Sequence, residues 1–314
     1  FRLSSRSIIN YSTAKNDFFS PSYLNSDGLA AGKSTYTQFR KYLLTNNLLW
    51  TRTFNDVHNF TANLIHEYET RTNQGLYLQG IGIPNDNIQV VKGIKSGNLR
   101  GNSDVSSYAK LSFLGAFHYD YDDRYLLDAV WRRDASSRFG KNNKWGDFPS
   151  LALGWIISNE GFTSDLGWMN ELKLRASWGK TGDESSIFDN DRYNAYIPGD
   201  GSYTGSGVVN TYGGQTAIIP NYAGITNDNI TWQETETWNL GLDGVFYNNR
   251  LFFNIDAYSR ETSGQMLSIT IPEYTGYLST FTNAASVRNS GIELNVGGRV
   301  LPNESDFQWT PSID

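Results

Sequence analysis

Residues 170–179 read NELKLRASWG, and their alternation decides the fold. Leu172, Leu174, Ala176 and Trp178 fall on one face of an extended chain, with Lys173, Arg175 and Ser177 on the other, because successive side chains of a strand point to opposite sides. The same period of two continues outward in both directions. Upstream, in 149–158 (PSLALGWIIS), Leu151, Leu153, Trp155 and Ile157 oppose Ala152, Gly154 and Ser158. Downstream, 250–260 (RLFFNIDAYSR) sets Leu251, Phe253, Ile255 and Ala257 against Asn254, Asp256, Tyr258 and Arg260. In 290–300 (SGIELNVGGRV), Ile292, Leu294, Val296 and Val300 oppose Glu293, Asn295 and Arg299. Helical periodicity is almost absent. Eleven strands are expected, over 1–12, 36–54, 58–69, 108–121, 124–134, 149–158, 170–180, 234–246, 250–262, 288–301 and 306–314.

The connections between these strands alternate in length. Short turns are expected at Asn55 to Val57, Asp122–Asp123, Asn159 to Met169, Tyr247 to Asn249 and Pro302 to Ser305. Between them lie long segments, 13–35, 70–107, 135–148, 181–233 and 263–287. A soluble sandwich has no reason to gather every long loop at one end, whereas a transmembrane barrel has tight periplasmic turns and long extracellular loops. Alternation alone leaves a soluble sandwich or β-helix open, because an apolar strand face can meet a core or lipid. Tryptophan placement favours lipid. With the long loops outside, Trp131, Trp178 and Trp238 fall near outer strand ends and Trp155 near an inner one, the two levels that aromatic girdles occupy. The expected fold class is therefore all-β, a transmembrane antiparallel β-barrel with long extracellular loops. At about 29 residues per strand and connection, a plugged barrel of about 22 strands needs roughly 640 residues, so eleven strands make about half of one.

Composition agrees by exclusion. The 314 residues carry 26 basic and 32 acidic side chains, a net charge of −6, which argues against a phosphate-dominated nucleic-acid binder. With no cysteine, neither a disulfide scaffold nor a cysteine-ligated zinc site can form. No run approaches the ~18–20 apolar residues of a spanning helix. The opening FRLSSRSIIN shows neither an initiating Met nor a leader's apolar stretch, so residues 1–314 are expected to be a portion of a single barrel domain from a longer protein.

Few motifs point to chemistry. Gly28-x-x-x-Gly32-Lys33-Ser34 is one residue short of a phosphate loop and follows no buried strand. His58, His66 and His118 have no zinc-binding spacing, and His66 and His118 are expected to be structural or lumen-facing. Asn59-Phe-Thr61, Asn229-Ile-Thr231 and Asn303-Glu-Ser305 match the unspecific glycosylation sequon. Glu234 and Glu236 imitate a catalytic acid pair but read better as solvated loop-end charges. Asp183, Asp189 and Asp191 offer a weak Ca²⁺ site on an exposed loop, and no other cofactor is expected. The long segments are more informative. Tyr193, Tyr196, Tyr203, Tyr212 and Tyr222 lie in 181–233, with Tyr274, Tyr277 and Phe281 in 263–287, amid Asn, Gly, Ser and Thr. Aromatic faces beside amides and hydroxyls suit sugar rings or peptides, and self-packing of the loops is the plainer alternative.

Residues 124–160, RYLLDAVWRRDASSRFGKNNKWGDFPSLALGWIISNE, closely resemble the SusC/RagA family of TonB-dependent outer-membrane transporters. The matching positions are Arg132 or Arg133, Asp134, Ser136, Ser137, Phe139, Gly140, Trp145, Gly146, Phe148, Pro149, Ser150, Gly154 and Trp155. LKLRASWGKTGDES at 172–185, ITWQETETWNLGLDGVF at 230–246 and RNSGIELNVGG at 288–298 agree as well. The resemblance implies a barrel of about 22 strands with an N-terminal plug, driven through TonB. It also implies a SusD-like surface lipoprotein that hands over glycans or peptides, and a structural part for the motif residues. No plug or TonB box is recognisable in the chain. The expected function is non-enzymatic import of oligosaccharides or peptides, and the alternatives are a soluble secreted carbohydrate-binding or glycoside-cleaving domain and a siderophore-type barrel.

Overall fold

The computed structural model describes residues 1–140, 142–187, 225–300 and 309–313, and the backbone alone of 196–198, 211–212, 215–216 and 218–220. Its strands are β1 (Arg2–Ser20), β2 (Ala30–Phe54), β3 (His58–Ile83), β4 (Arg100–Tyr121), β5 (Tyr125–Ser136), β6 (Trp145–Ile156), β7 (Met169–Asp183), β8 (Tyr196–Pro198), β9 (Thr211–Tyr212), β10 (Gln215–Thr216), β11 (Ile218–Pro220), β12 (Gln233–Phe246), β13 (Leu251–Thr270), β14 (Ser279–Gly298) and β15 (Ser312–Ile313). One 11-stranded sheet runs β1-β2-β3-β4-β5-β6-β7-β12-β13-β14-β15, an up-and-down meander. β8 pairs β11 and β9 pairs β10 in two small ribbons.

The tight turns have a local cause. Asn55 and Asp56, Asp122 and Asp123, and Tyr247, Asn248 and Asn249 all have positive φ, between 50° and 63°. Asn and Asp tolerate this left-handed region, whose twist suits a short hairpin. The 157–168 turn opens with the 3-10 segment Ile157–Asn159. In it Glu160 accepts hydrogen bonds from the Tyr125 hydroxyl (2.5 Å) and the Trp155 indole (3.0 Å). These two donors, Tyr125 first, hold the Glu160 carboxyl below its ordinary range. Pro302 to Ser305 lie outside the described residues.

Strand lengths differ from the sequence expectation at the other end. Strand extends into all five long segments: β1 runs on to Ser20, β3 to Ile83, β7 to Asp183 and β13 to Thr270, while β2 starts at Ala30, β4 at Arg100, β6 at Trp145, β12 at Gln233 and β14 at Ser279. Of the last expected strand, 306–314, the described residues pair at Ser312–Ile313, and 306–308 and 314 lie outside the described residues. Beyond the membrane neither face meets lipid, so the extensions need no strict alternation and carry Asn, Ser, Thr and Gly instead.

Register explains the two faces. Leu127, Leu153, Ala176, Leu240, Ala257 and Ile292 are consecutive cross-strand partners from β5 to β14. The neighbouring row is Asp128, Ala152, Ser177, Asn239, Tyr258 and Gly291. One row is greasy and the next polar. Leu153 is 52% and Leu240 54% exposed, so the apolar row packs into no protein core. A hollow of about 440 Å³ over Ala176 and Ala257 opens on that side, and its apolar lining suits acyl chains.

Two levels bound this band. Trp178 and Trp238 pack together (5.9 Å between ring centroids) and both indoles donate to Glu236, at 2.8 and 3.1 Å. Glu236 itself belongs to a charged row, Lys180, Glu236, Glu261 and Arg288. At the turn end, Tyr121, Tyr125 and Trp155 stack in series, as do Trp168, Phe246 and Phe253. From Glu236 to Tyr247 the strand spans about 36 Å, which a tilt near 40° reduces to about 28 Å, close to the ~25 Å apolar belt of outer-membrane barrels.

Contacts divide the chain into two compact units. The first is Phe1–Ser4, Asn46–His66 and Ser112–Asp314. The second is Ser5–Thr45 and Glu67–Leu111, made of β1 to β4 segments toward the long connections. Its small core is Ala30, Ile83 and Ile94, with Phe19 and Val91 against it. Asp86 ties the tips together by accepting from the Ser22 backbone N–H and Oγ, both at 2.9 Å.

Candidate functional site

Two regions of the first unit concentrate polar or buried side chains. On the polar face, Arg175 donates through Nε and Nη2 to Asp243 at 2.6 and 2.9 Å, and through Nη2 to Asp256 at 3.1 Å. Asn254 also donates to Asp243. Arg175 stands between Gly154 and Gly241 in register, and a Cβ at Gly241 would lie 2.6 Å from its guanidinium carbon. Glycine neighbours leave the guanidinium room to reach sideways over the sheet. His118 pairs with Asp128 at 2.6 Å on the same face. His66 instead bonds Asn46 and packs on Phe113.

The second region lies at the long-loop end. Arg132 Nε grips both Asp134 oxygens, at 2.9 and 2.8 Å, and its Nη2 reaches Ser112. Ser136 is buried; its N–H donates to the Lys144 carbonyl and its Oγ accepts from the Arg138 N–H, closing the 137–144 loop. Phe139 and Phe148 are buried with Ile187, Ile230 and Trp232, and Met266 packs against them. Phe139 and Trp232 lie 4.6 Å apart between centroids, and the Trp232 indole donates to the Lys144 carbonyl at 3.2 Å. Gly140 touches the Asp228 carbonyl so closely that no side chain fits there, and Gly146 and Gly182 are covered by the Phe148 ring. The 225–232 segment is also laced to β14: Asn283 joins the backbone of Thr231 and the Gly264 carbonyl, and Asn227 donates to the Phe281 carbonyl.

A polar strand face, a greasy face bounded by two aromatic levels and a rim anchored by aromatic residues together describe a barrel wall with a built mouth. The model of the TonB dependent receptor-like β-barrel matches residues 1–313. The chain belongs to the TonB-dependent receptor β-barrel family. TonB-dependent receptor P39 of Formosa agariphila is 33% identical over 97% of the chain, which covers 28% of that protein. SusC of Bacteroides thetaiotaomicron is 37% identical over 65% of the chain and 20% of its own length. The structure of the RagAB peptide transporter superposes with a TM-score of 0.83 at 24% identity, over 96% of the chain and 32% of that one. The SusC/RagA resemblance of the 124–160 block stands, the family is an outer-membrane one, and the soluble β-domain reading falls away. The chain spans under a third of the length of P39 and of SusC.

The residues singled out in the sequence fall in different places. Asp134, Ser136, Phe139, Gly146 and Phe148 are buried in the rim, and Ser137 is half-buried beside them. Trp145 is exposed, with the Arg133 guanidinium 5.1 Å from its ring. Pro149 pairs with Trp131, and Trp155 sits at the opposite, turn end. Tyr274 is 90% exposed on the Glu273–Thr275 turn, and Tyr277 is half-buried nearby. Tyr196 and Tyr212 lie in β8 and β9, and Tyr193, Tyr203 and Tyr222 are outside the described residues, as are Asp189 and Asp191. Asp183 accepts from the Ser185 N–H and hydroxyl. Glu234 and Glu236 both lie near Lys180, at 3.7 and 3.9 Å, and Glu236 faces the lipid boundary. Lys33 and Ser34 of the near phosphate loop are in β2, where Ser34 donates to Asp17. Sequence reasoning missed Ile187, Ile230, Trp232 and Asn283. Ile230 and Trp232 open the family-like stretch 230–246, and Trp232 is also a large aromatic just before a strand; Ile187 and Asn283 gave no signal.

Proposed function

We propose that the protein containing this chain imports oligosaccharides or peptides across the outer membrane, energised through TonB, without cleaving them. A SusD-like surface lipoprotein hands cargo to the mouth. The observation that carries this reading is the anchored rim: the Asp134–Phe148 block and segment 225–232 hold the long connections in a fixed frame above a polar strand face. In this reading the motif residues Asp134, Ser136, Ser137, Phe139, Trp145, Gly146, Phe148, Pro149 and Trp155 shape the wall and rim. Cargo meets the loop tyrosines, with Tyr193, Tyr196, Tyr203, Tyr212, Tyr222, Tyr274 and Tyr277 as the set from which contacts are drawn. Tyr274 supports this by standing free in solvent, as a sugar-stacking or peptide-contacting ring must before cargo arrives. The names of the relatives, a TonB-dependent receptor SusC and a RagAB peptide transporter, support an importer, and the second names peptides.

The test is uptake of labelled oligosaccharide and peptide mixtures by the native bacterium. Deleting the gene of this protein, the adjoining lipoprotein gene or tonB is each expected to abolish uptake of one mixture, with cargo entering uncut. Undiminished uptake of both mixtures after all three deletions overturns the reading.

A further inference from the structure

Within the second unit, the ends of β1 to β4 toward the long connections enclose a hollow of about 490 Å³. Phe18, Lys33, Gln79, Ile81, Asn98 and Arg100 give it its chemistry. It belongs to neither the rim cluster nor the membrane belt. Its two cations have no acid partner among the described residues. Lys33 Nζ lies 5.9 Å over the Tyr77 ring, and Arg100 Nη1 donates only to the carbonyls of Gly97 (3.1 Å) and Leu99 (3.4 Å). The surrounding charge is mostly of the same sign; of the acids that flank the lining residues in sequence, Asp17 is already paired with Lys15 and Ser34, and Asp104 lies four residues beyond Arg100. Residues 84–103 carry Lys92, Lys95 and Arg100 against Asp86 alone, and both Asp86 oxygens are already occupied by Ser22. This local excess occurs in a chain whose net charge is −6. Beside the cations are two amides, Gln79 and Asn98, and two apolar side chains, Phe18 and Ile81, both exposed.

We propose that this hollow is a recognition subsite for anionic cargo, a short oligomer bearing carboxylate or sulfate groups. The inference rests on the import reading and names the charge class of what is imported. Arg100 offers a forked donor suited to a carboxylate or sulfate, and Lys33 adds a point charge across the hollow. The amides supply neutral hydrogen bonds, and Phe18 with Ile81 covers the apolar face of a sugar ring or side chain. A concave site lined by one sign of charge also concentrates oppositely charged ligand before contact.

The experiment uses the full-length receptor in detergent, with binding measured by calorimetry. Tri-galacturonate and tri-glutamate are compared with the neutral maltotriose and tri-alanine, so the two sources of carboxylate are separated. At least one acidic probe is expected to bind about tenfold or more tightly than its neutral counterpart, an advantage that shrinks as salt rises. The double variant K33Q/R100Q, exposed at both positions, is expected to lose most of that advantage while its heat-modifiable migration stays normal. R100K, which keeps the charge, is expected to keep most of it. Equal binding of acidic and neutral probes overturns the proposal, as does a double variant with its charge preference intact. Uptake of neutral cargo alone would sink this proposal and leave the import reading standing; loss of all uptake dependence would sink the import reading while the calorimetry still decides the charge preference.

Discussion

At Gly182 a side chain has no room, because any Cβ would enter the Phe148 ring, and the same ring covers Gly146. Phe148 is thus the piece on which two strands and the 225–232 segment close, through Trp232 in edge-to-face contact at 5.4 Å. Removing a buried phenylalanine ring costs about 3–5 kcal/mol when the site cannot collapse, and a rim held by glycine backbones has little to collapse with. Phe148→Ala in the full-length receptor is therefore expected to loosen the rim and leave the wall intact. Limited proteolysis should cut faster within 137–144 and 225–232, with heat-modifiable migration unchanged. Unaltered protection of both segments would show that Phe148 does not hold them. The residues of this cluster were legible unequally. Phe139 and Phe148 were visible through a motif, but Ile187 and Ile230 lie in a stretch without periodicity, where burial depends on partners some forty to ninety residues distant in the chain. The seven loop tyrosines named from sequence rest on composition alone, since a Tyr-rich loop has the same composition whether its rings meet cargo or one another.

At the scale of the strand, the lipid-facing period of two was readable because hydrocarbon on one side and water on the other force different residues onto the two faces. Strand ends toward the long connections were not, since that difference of solvent disappears there while backbone pairing continues. β13 shows the transition: its register with β14 shifts after Thr262, at Gly264 with φ 68°, just past the charged row containing Glu261. An extra residue there leaves the ladder, as β-bulges do, and the alternation read up to 262 loses its phase. The faces themselves make a sharp prediction. Leu240 lies in the greasy row and Asn239 in the polar one, adjacent in sequence and opposite in surroundings. Leu240→Arg is expected to destabilise the folded receptor by about 2–4 kcal/mol in lipid bilayers, the cost of a cation deep in hydrocarbon. Asn239→Arg should cost well under half as much. Equilibrium unfolding in urea from vesicles reads both, and equal penalties would mean that the two faces share one solvent.

For the molecule as a whole, the constraint is that a sheet in lipid cannot have an edge. β1 and β15 stand at opposite ends of the strand order, and among the described residues β15 pairs β14 through Val296↔Ile313 and Gly297↔Ser312, with the Gly298 and Val300 N–H groups bonded to the Pro311 and Trp309 carbonyls beside it. Most of β1, 19 residues long, is exposed on both faces, and its outer backbone groups have no partner strand in that order. Every unpaired N–H or carbonyl in hydrocarbon costs several kcal/mol, so two such edges outweigh anything the described side-chain contacts return. Strand count made the open edges legible from the sequence, because eleven antiparallel strands in a meander leave the first and the last with one neighbour each. Residues 1–314 refolded alone in detergent are accordingly expected to form aggregates or edge-paired oligomers, without the compact band that runs faster unheated than heated. Supplying the remaining barrel strands as a separate chain during refolding should restore that band, since edges are satisfied by backbone pairing whether or not the chain is continuous. A monomeric, heat-modifiable species formed by residues 1–314 alone would mean that β1 and β14 find each other and close a smaller barrel.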